Sequence, residues 1–169
     1  GGGFDGNGAY RFDGVDDYIS INSLWNRFTE DNTPFTVSCW FKSNVPSEQQ
    51  EIIEMGDGNS PNRLGFRLLV WQGRLYGQTM DAITRHPVVG NTVLGVSTQY
   101  HGVFTFANGL MNLYLNGASD AVESPGGWVS HTYAAIGQQL GGTARFGGEI
   151  CNVKIFNRAL SPEEVAIEY

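Results

Sequence analysis

The chain has 169 residues, of which 41% are hydrophobic, 12% aromatic and only 16% charged, and it contains 23 glycines. This length suits one domain with a real core, and the glycine-rich, charge-poor composition favours short strands and tight turns over helical bundles. The formal charge of -7 comes without a basic block, which argues against binding to nucleic acid, and no apolar run is long enough for a membrane span.

Strand-like runs separated by turn dipeptides follow one another along most of the chain. The predicted strands are residues 9–12, 17–21, 35–42, 51–56, 64–71, 73–80, 91–98, 101–107, 110–117, 132–137 and 148–156. Four dipeptides between them supply residues that tolerate the positive φ of hairpin turns: Asp57-Gly58, Gln72-Gly73, Asn108-Gly109 and Asn116-Gly117. We therefore expect an all-β protein that forms a single domain over residues 1–169. Since the chain opens without Met, we expect that domain to belong to a longer protein.

Residues 35–42 (FTVSCWFK) show the alternation of a strand that is covered on both faces. Phe35, Val37, Cys39 and Phe41 fall on one face, and Trp40 lies among Thr36, Ser38 and Lys42 on the other. Because both faces carry bulk, this pattern predicts a central strand of a sandwich, with Trp40 in the core.

Only the C-terminal end of the sequence predicts a helix. In residues 160–169 (LSPEEVAIEY), Ser161 is a natural N-cap and Pro162 fits the first helical position. Glu164 stands three residues after Ser161 and completes a capping box. We expect a helix of two turns at most.

Three segments resemble one known family: YRFDGVDDYISI near the start, FTVSCWFK, and the closing FGGEICNVKIFNRALSPEEVAIEY. They are similar to the laminin G-like, concanavalin A-like jelly-roll family, which pairs an FDG-x-DDY opening with a GxIDxVRIYNRALSxEEI ending; pentraxins end in a similar way. HGVFTFANGLMNLYLNG resembles the family's central hairpin. The chain departs from the family pattern at Cys151, where an Asp is usual, and at Tyr100, where a Trp is common.

The resemblance implies a two-sheet antiparallel β-sandwich of jelly-roll type, carbohydrate or protein binding at loops or on a concave face, and often a structural calcium. The carboxylates of Asp13, Asp16 and Asp17, with carbonyls around Gly14, could supply oxygen ligands for Ca²⁺. Glu149, in the closing strand that this family brings near the chain start, would add a fourth carboxylate. The alternative is a turn at Asp13-Gly14 with solvated side chains.

A sugar site needs flat aromatic faces and a few directed polar groups. Trp71 lies beside the Gln72-Gly73 turn, and Trp128 lies in a loop that leads to His131 and Tyr133. We take these residues, with Arg85, as the candidate carbohydrate site; Trp25 lies in another loop, and Arg63 and Arg67 are further cations for acidic sugars. The alternative is that each loop Trp covers an edge of the sandwich.

The sequence gives no support for catalysis. Retaining glycosidases of this shape need two carboxylates on one strand face, whereas Glu51 and Glu54 are three apart and should point to opposite sides of a strand. The three histidines, His86, His101 and His131, show no metal-ligand spacing, and no G-x-S-x-G motif is present.

Cys39 and Cys151 leave two alternatives open, because the family places their strands side by side. A disulfide would close a loop of over a hundred residues, worth about 4.7 kcal/mol in the chain-entropy model, and would imply a location outside the cytosol. Two buried free thiols are the other alternative.

We therefore expect a non-catalytic, calcium-stabilised, lectin-like module of a secreted or surface-exposed protein. Its partners would be a glycan or glycoprotein, and possibly other domains of the same protein, with no nucleic acid and no membrane insertion. A structural or adhesive protein-binding domain of a cell-surface or viral fibre is the second hypothesis, and a polysaccharide-degrading domain is the third.

Overall fold

The computed structural model describes residues 8–23, 28, 30–56, 64–81, 84–129 and 133–169. It confirms a β-sandwich of two antiparallel sheets with a short C-terminal helix. The elements are β1 (Tyr10–Asp13), β2 (Ile19–Ser20), β3 (Phe35–Ser43), β4 (Gln50–Gly56), β5 (Leu64–Trp71), β6 (Arg74–Met80), β7 (Arg85–Val89), β8 (Gln99–Ala107), β9 (Leu110–Leu115), β10 (Ala118–Glu123), β11 (Tyr133–Ile136), β12 (Gly147–Phe156) and α1 (Pro162–Glu168).

Each sheet has six strands. Sheet A has the order β1-β12-β3-β8-β9-β10, and sheet B has the order β2-β11-β4-β5-β6-β7. The chain therefore enters through β1 and β2 at one lateral side of the sandwich, and β7 and β10 end the two sheets at their other margins. No helix in the described part of the chain is long and apolar enough to cross a bilayer.

The core lies between the inner faces of the two sheets. As the alternation predicts, Phe35, Val37, Cys39 and Phe41 of β3 all belong to it. Phe35 stacks on Phe66 of sheet B with 4.0 Å between ring centroids, so that aromatic contacts join the two layers directly. The inner face of β6 carries Gly77, where a Cβ would stand 2.6 Å from the ring of Phe104, so close packing requires glycine there.

The hairpin turns are confirmed where the structure describes them. Gln72 and Gly73 have φ values of 49° and 73°, and the two Asn-Gly pairs at 108–109 and 116–117 also have positive φ at both residues. These are the conformations that two-residue hairpin loops need. The predicted turn at Asp57-Gly58 lies outside the described residues.

The capping box of α1 is also confirmed. The Ser161 hydroxyl accepts a hydrogen bond from the Glu164 N–H, and the Glu164 carboxylate accepts one from the Ser161 N–H. Val165 of the helix packs on Val103 and Tyr114, on the outer face of sheet A. Trp40 is buried on this same outer face, where its ring stacks on Tyr169 at 5.4 Å, so it is not part of the core between the sheets.

Two features of the strand prediction are wrong. Residues 91–98 form no strand, and the strands β7 and β10 were not predicted. Both missed strands are edge strands, and each carries a residue that disfavours a central position: Pro87 in β7 and Asp120 at an irregularity of β10.

Candidate functional site

A row of polar side chains crosses the outer face of sheet B. Glu54 of β4 pairs with Arg67 of β5, Arg67 pairs with Gln78 of β6, and Gln78 pairs with Pro87 of β7. Directly opposed residues share one face of a sheet, and their strand neighbours Met55 and Phe66 belong to the core. The row therefore lies on the face that points away from the core.

A β-bulge brings Glu51 to the same outer face as Glu54. The pairing of β4 with β5 shifts between Glu51 and Ile53, so that Glu51 opposes Leu69 while Glu54 opposes Arg67. Leu69 and Arg67 are two residues apart and share a face. The expectation that the two glutamates point to opposite sides is therefore wrong, because the extra residue of a bulge reverses the alternation.

Arg67 holds this polar cluster together. Its Nε donates to Gln78 Oε1 and its Nη1 donates to Glu51 Oε1, each at 2.7 Å. Gln49 Nε2 donates to the same Glu51 oxygen at 2.9 Å. Among the described residues, nothing hydrogen-bonds the buried second oxygen of Glu51. Within the described part of the chain, the cluster is thus organised but leaves one carboxylate oxygen without a hydrogen-bond partner.

The environment raises the pKa of both glutamates. Burial is the main cause for Glu51, and the Arg67 guanidinium opposes it. For Glu54, burial and then the negative charge of Glu51 raise the pKa to about 8. Glu54 Oε2 accepts a hydrogen bond from the Leu140 N–H at 3.3 Å, while its buried Oε1 has no partner among the described residues. Glu54 is therefore mostly protonated at pH 7 and adds little negative charge to the face.

Three of the predicted carbohydrate-binding residues lie at the ends of this same face. Tyr133 opposes Gly56 at the start of β11, and Arg85 opposes Met80 at the start of β7. Trp71 lies at the far end of β5. Residues 65 and 71 lie on this face near the two ends of β5. Six residue steps of about 3.3 Å separate them, so the face is about 20 Å long in the strand direction.

Two aromatic residues of the face, Trp71 and Tyr133, are available to solvent. Trp71 is 40% exposed and Tyr133 is 42% exposed. Tyr76, which shares the outer face through its pairing with Leu69, brings its ring centroid within 5.6 Å of that of Trp71. The exposed Trp71 and the half-buried Tyr76 thus form an aromatic corner beside the polar row.

The prediction that Trp128 contacts a ligand is wrong. Trp128 is only 1% exposed, and its ring meets Phe28, Phe35 and Phe66 edge to face in the core. Its indole N–H donates to the Thr33 carbonyl, which satisfies the polar end of the buried ring. His131 of the predicted site, together with Trp25 and Arg63, lies outside the described residues.

The three aspartates of the first turn converge as predicted. Oxygens of Asp13, Asp16 and Asp17 all lie within 4.8 Å of one another, and all three residues are exposed. Asp13 Oδ1 accepts from the N–H groups of Val15 and Asp16, and the first of these bonds is the main cause of the lowered pKa of Asp13. Gly14 has a φ of 81°, which permits the tight turn.

Glu149 does not join this cluster. Its Oε2 lies 2.8 Å from Lys42 Nζ, in an ion pair on the outer face of sheet A. The predicted fourth carboxylate is therefore paired with a lysine, and among the described residues the three aspartates remain as the acidic group that could hold an ion.

Cys39 and Cys151 lie on adjacent strands, as expected, but both are buried free thiols. Cys39 faces the core, whereas Cys151 opposes Trp40, whose side chain lies on the outer face. A disulfide needs side chains that point toward each other. Of the two alternatives, the structure therefore has the pair of buried free thiols, and the argument from a disulfide for an oxidising compartment does not apply.

The polar row itself was not predicted as a site. Glu51, Glu54, Gln78 and Tyr76 were missed, although Arg67 was noted as a cation. One signal was present: Arg67 interrupts the otherwise apolar strand LGFRLLVW, and a charge in such a strand requires an opposite charge nearby.

Comparisons with known proteins agree with this architecture. A family model described as the concanavalin A-like lectin/glucanases superfamily matches residues 13–166. A search of curated proteins finds no match.

Solved structures share the fold at low sequence identity. The Ruminococcus gnavus IT-sialidase CBM40 is 15% identical, with a TM-score of 0.79 and 95% of each chain covered. The same module bound to alpha2,3 sialyllactose gives a TM-score of 0.76 at 15% identity, covering 95% of this chain and 97% of that one. A heptameric SAP-like pentraxin from Limulus polyphemus is 16% identical, with a TM-score of 0.69, covering 92% of this chain and 78% of the pentraxin. The family match spans nearly the whole sandwich, and the chain therefore belongs to the concanavalin A-like lectin/glucanase superfamily.

Proposed function

We propose that the chain is a non-catalytic carbohydrate-binding module whose glycan lies on the outer face of sheet B. The observation that carries the proposal is the exposed Trp71, packed beside the half-buried Tyr76, on the same face as a largely buried polar row centred on Arg67, which is 6% exposed. Aromatic faces stack on the CH groups of pyranose rings, and directed polar groups form hydrogen bonds with sugar hydroxyls. At about 20 Å, the face has room for an oligosaccharide.

The charge of the face favours an acidic sugar. Arg67 is paired with Glu51, Glu54 is mostly protonated at pH 7, and Arg85 lies on the same face at the start of β7. A structural neighbour, the Ruminococcus gnavus module, is described as bound to alpha2,3 sialyllactose, which is an acidic sugar. We propose sialylated or other carboxylate-bearing glycans as the ligand class.

Binding to a glycan array, followed by titration calorimetry, tests this proposal. We expect binding to acidic oligosaccharides such as sialyllactose and at least tenfold weaker binding to lactose. Trp71→Ala should weaken binding about fivefold, since stacking contributes on the order of 1 kcal/mol. The matched control Val122→Ala, an exposed residue of β10 in the other sheet, should bind like wild type. Equal binding by Trp71→Ala and wild type would place the glycan elsewhere.

We also propose that the module is not an enzyme. Because Glu51 and Glu54 share a face, strand alternation no longer argues against a catalytic pair of carboxylates. However, both carboxylates are fully buried, and Glu51 forms an ion pair with Arg67. Paired catalytic carboxylates must instead reach the glycosidic bond. Release of reducing ends from an acidic polysaccharide, lost in Glu54→Gln, would contradict this proposal.

Calcium is proposed for the loop of Asp13, Asp16 and Asp17. The convergence of three exposed carboxylates fits a hard, oxygen-preferring cation, which would screen their mutual repulsion and stabilise the turn. At about 100 times its Kd, calcium should add about 2.7 kcal/mol of stability. We expect EDTA to lower Tm by a few degrees and Asp16→Ala to abolish this effect. Identical melting curves in calcium and EDTA would reject the assignment.

These properties suit a secreted or surface-exposed protein. The support is the superfamily, together with the proposed calcium and the proposed sugar ligand. Locating the full-length protein in its cell by fractionation tests this part.

A further inference from the structure

The lateral edge formed by β1 and β2 leaves an apolar groove between the two sheets. These strands end sheets A and B on the same side. The groove has a volume of about 490 Å³, and its apolar lining comes from both sheets: Phe12, Ile19, Ile136, Ile150 and Val153. Tyr10 of β1 also lines the groove and is largely exposed. A groove of this size accommodates one or two large side chains.

The backbone of β1 offers hydrogen-bonding groups at this edge. Gly147, which opposes Asp13, accepts the Asn44 N–H on its carbonyl, on the side away from β1. The Asp13 N–H likewise points away from β12 and donates to Asp17 Oδ2 at 3.0 Å. Residues two apart in an antiparallel strand orient their polar groups alike. The N–H and C=O of Arg11 therefore face the open edge, where no described strand pairs with them.

The side chains on the outer face of sheet A add a charge pattern to this edge. Arg11 opposes Glu149 of β12, and Glu149 opposes Lys42 of β3. The Lys42–Glu149 ion pair measures 2.8 Å. The row therefore alternates in sign across three strands and ends at the margin with the positive charge of Arg11. A further strand would continue this alternation with an acidic residue.

We propose that β1 accepts an extended segment of a partner protein as an additional strand of sheet A. The segment carries an acidic residue opposite Arg11 and an apolar residue on either side of it. Successive side chains of a strand point to opposite faces, so those two neighbours point to the groove side, beside Tyr10 and Phe12. Backbone hydrogen bonds supply affinity in such strand addition, and alternate side chains supply specificity.

Asp17 determines how far along β1 a partner strand can form backbone hydrogen bonds. Because its carboxylate already occupies the Asp13 N–H, the partner strand can pair along β1 only as far as Arg11. Two copies of this chain paired antiparallel about Phe12 would need that occupied N–H, which disfavours this register of a pair of identical chains. The surface is separate from the proposed glycan face, so either proposal can fail alone.

Selection from a phage-displayed library of 12-residue peptides on the immobilised full chain tests the proposal. We expect enrichment of an apolar–acidic–apolar pattern, and gain of exchange protection at the Arg11 amide when an enriched peptide binds. Arg11→Glu should weaken the peptide at least tenfold, and replacing the peptide's acidic residue by Lys should restore binding to that variant. The control Arg11→Lys keeps the charge and should bind within about twofold of wild type.

Three outcomes would overturn the proposal. One is the absence of the pattern, or its presence in peptides that Arg11→Glu binds as well as wild type does. Another is light scattering that shows a dimer which Arg11→Glu dissociates, because a second copy would then cover the edge. The third is peptide binding that begins only when residues 1–7 are removed, because the chain's own first residues would then be the occupant.

Discussion

Replacing Glu54 by Gln should stabilise the protein at neutral and alkaline pH. Burial and the charge of Glu51 raise the pKa of Glu54 from 4.5 to about 8 in the folded state. Between these values the folded state binds more protons than the unfolded state, so stability falls as pH rises. The free-energy cost of ionising Glu54 in the folded state is absent below about pH 4.5 and complete above about pH 8.

The magnitude follows from the size of the shift. Each unit of pKa difference corresponds to about 1.4 kcal/mol, and pH 7 lies 2.5 units above the ordinary value of 4.5. Ionisable Glu54 therefore costs on the order of 3 kcal/mol at pH 7 relative to pH 4.5. Glutamine has the same shape, and its amide oxygen can still accept the Leu140 N–H, so the substitution removes the titration without opening a cavity.

Urea unfolding followed by tryptophan fluorescence at pH 5, 6, 7 and 8 provides the assay. The difference in unfolding free energy between Glu54→Gln and wild type should grow in favour of the variant by about 3 kcal/mol over this range. Glu123→Gln, on the exposed edge strand β10, is the control. The difference in its unfolding free energy from wild type should stay constant over this pH range. Parallel curves for Glu54→Gln and wild type would refute the buried, proton-binding state of Glu54.

Three further predictions follow from the same structure. Trp128→Ala should cost about 3 to 5 kcal/mol of stability by chemical denaturation, because it removes a buried ring from the core; a loss under 1 kcal/mol would mean the ring is not packed there. Ser161→Ala should cost about 1 kcal/mol through loss of the helix cap, and an unchanged midpoint would contradict the capping box. Burial lowers the pKa of His101 from 6.5 to about 4, so stability should fall as pH drops from 6.5 to 4, and a His101→Gln variant should lack this slope.

The parts of the fold that local chemistry decides could be predicted from the sequence. The alternation of β3, the positive-φ turns and the Ser161 capping box each depend on residues within a few positions of one another. The order of the strands within the sheets required the family resemblance, since the pairing of β1 with β12 joins opposite ends of the chain.

The candidate site was harder to predict because it depends on register and burial. A bulge in β4 moves Glu51 to the face of Glu54, and the sequence of residues 51–54 (EIIE) contains no signal that predicts the extra residue. Trp128 follows Gly127 in a loop segment that reads as exposed, but its ring fills the core between Phe28 and Phe66. Trp71, Tyr133 and Arg85 lie at the ends of strands and are exposed, as a ligand contact requires, and their role in binding stays a prediction.

The most direct test of the proposed glycan face is an NMR titration of the ¹⁵N-labelled chain with sialyllactose or the best acidic ligand from the array. The proposal predicts that the shifted signals include the Trp71 indole N–H, the Arg67 and Gln78 amides and the Tyr133 amide, which all belong to the outer face of sheet B. Shifts confined to the β1 edge or to the aspartate loop, or no shifts at millimolar ligand, would contradict it.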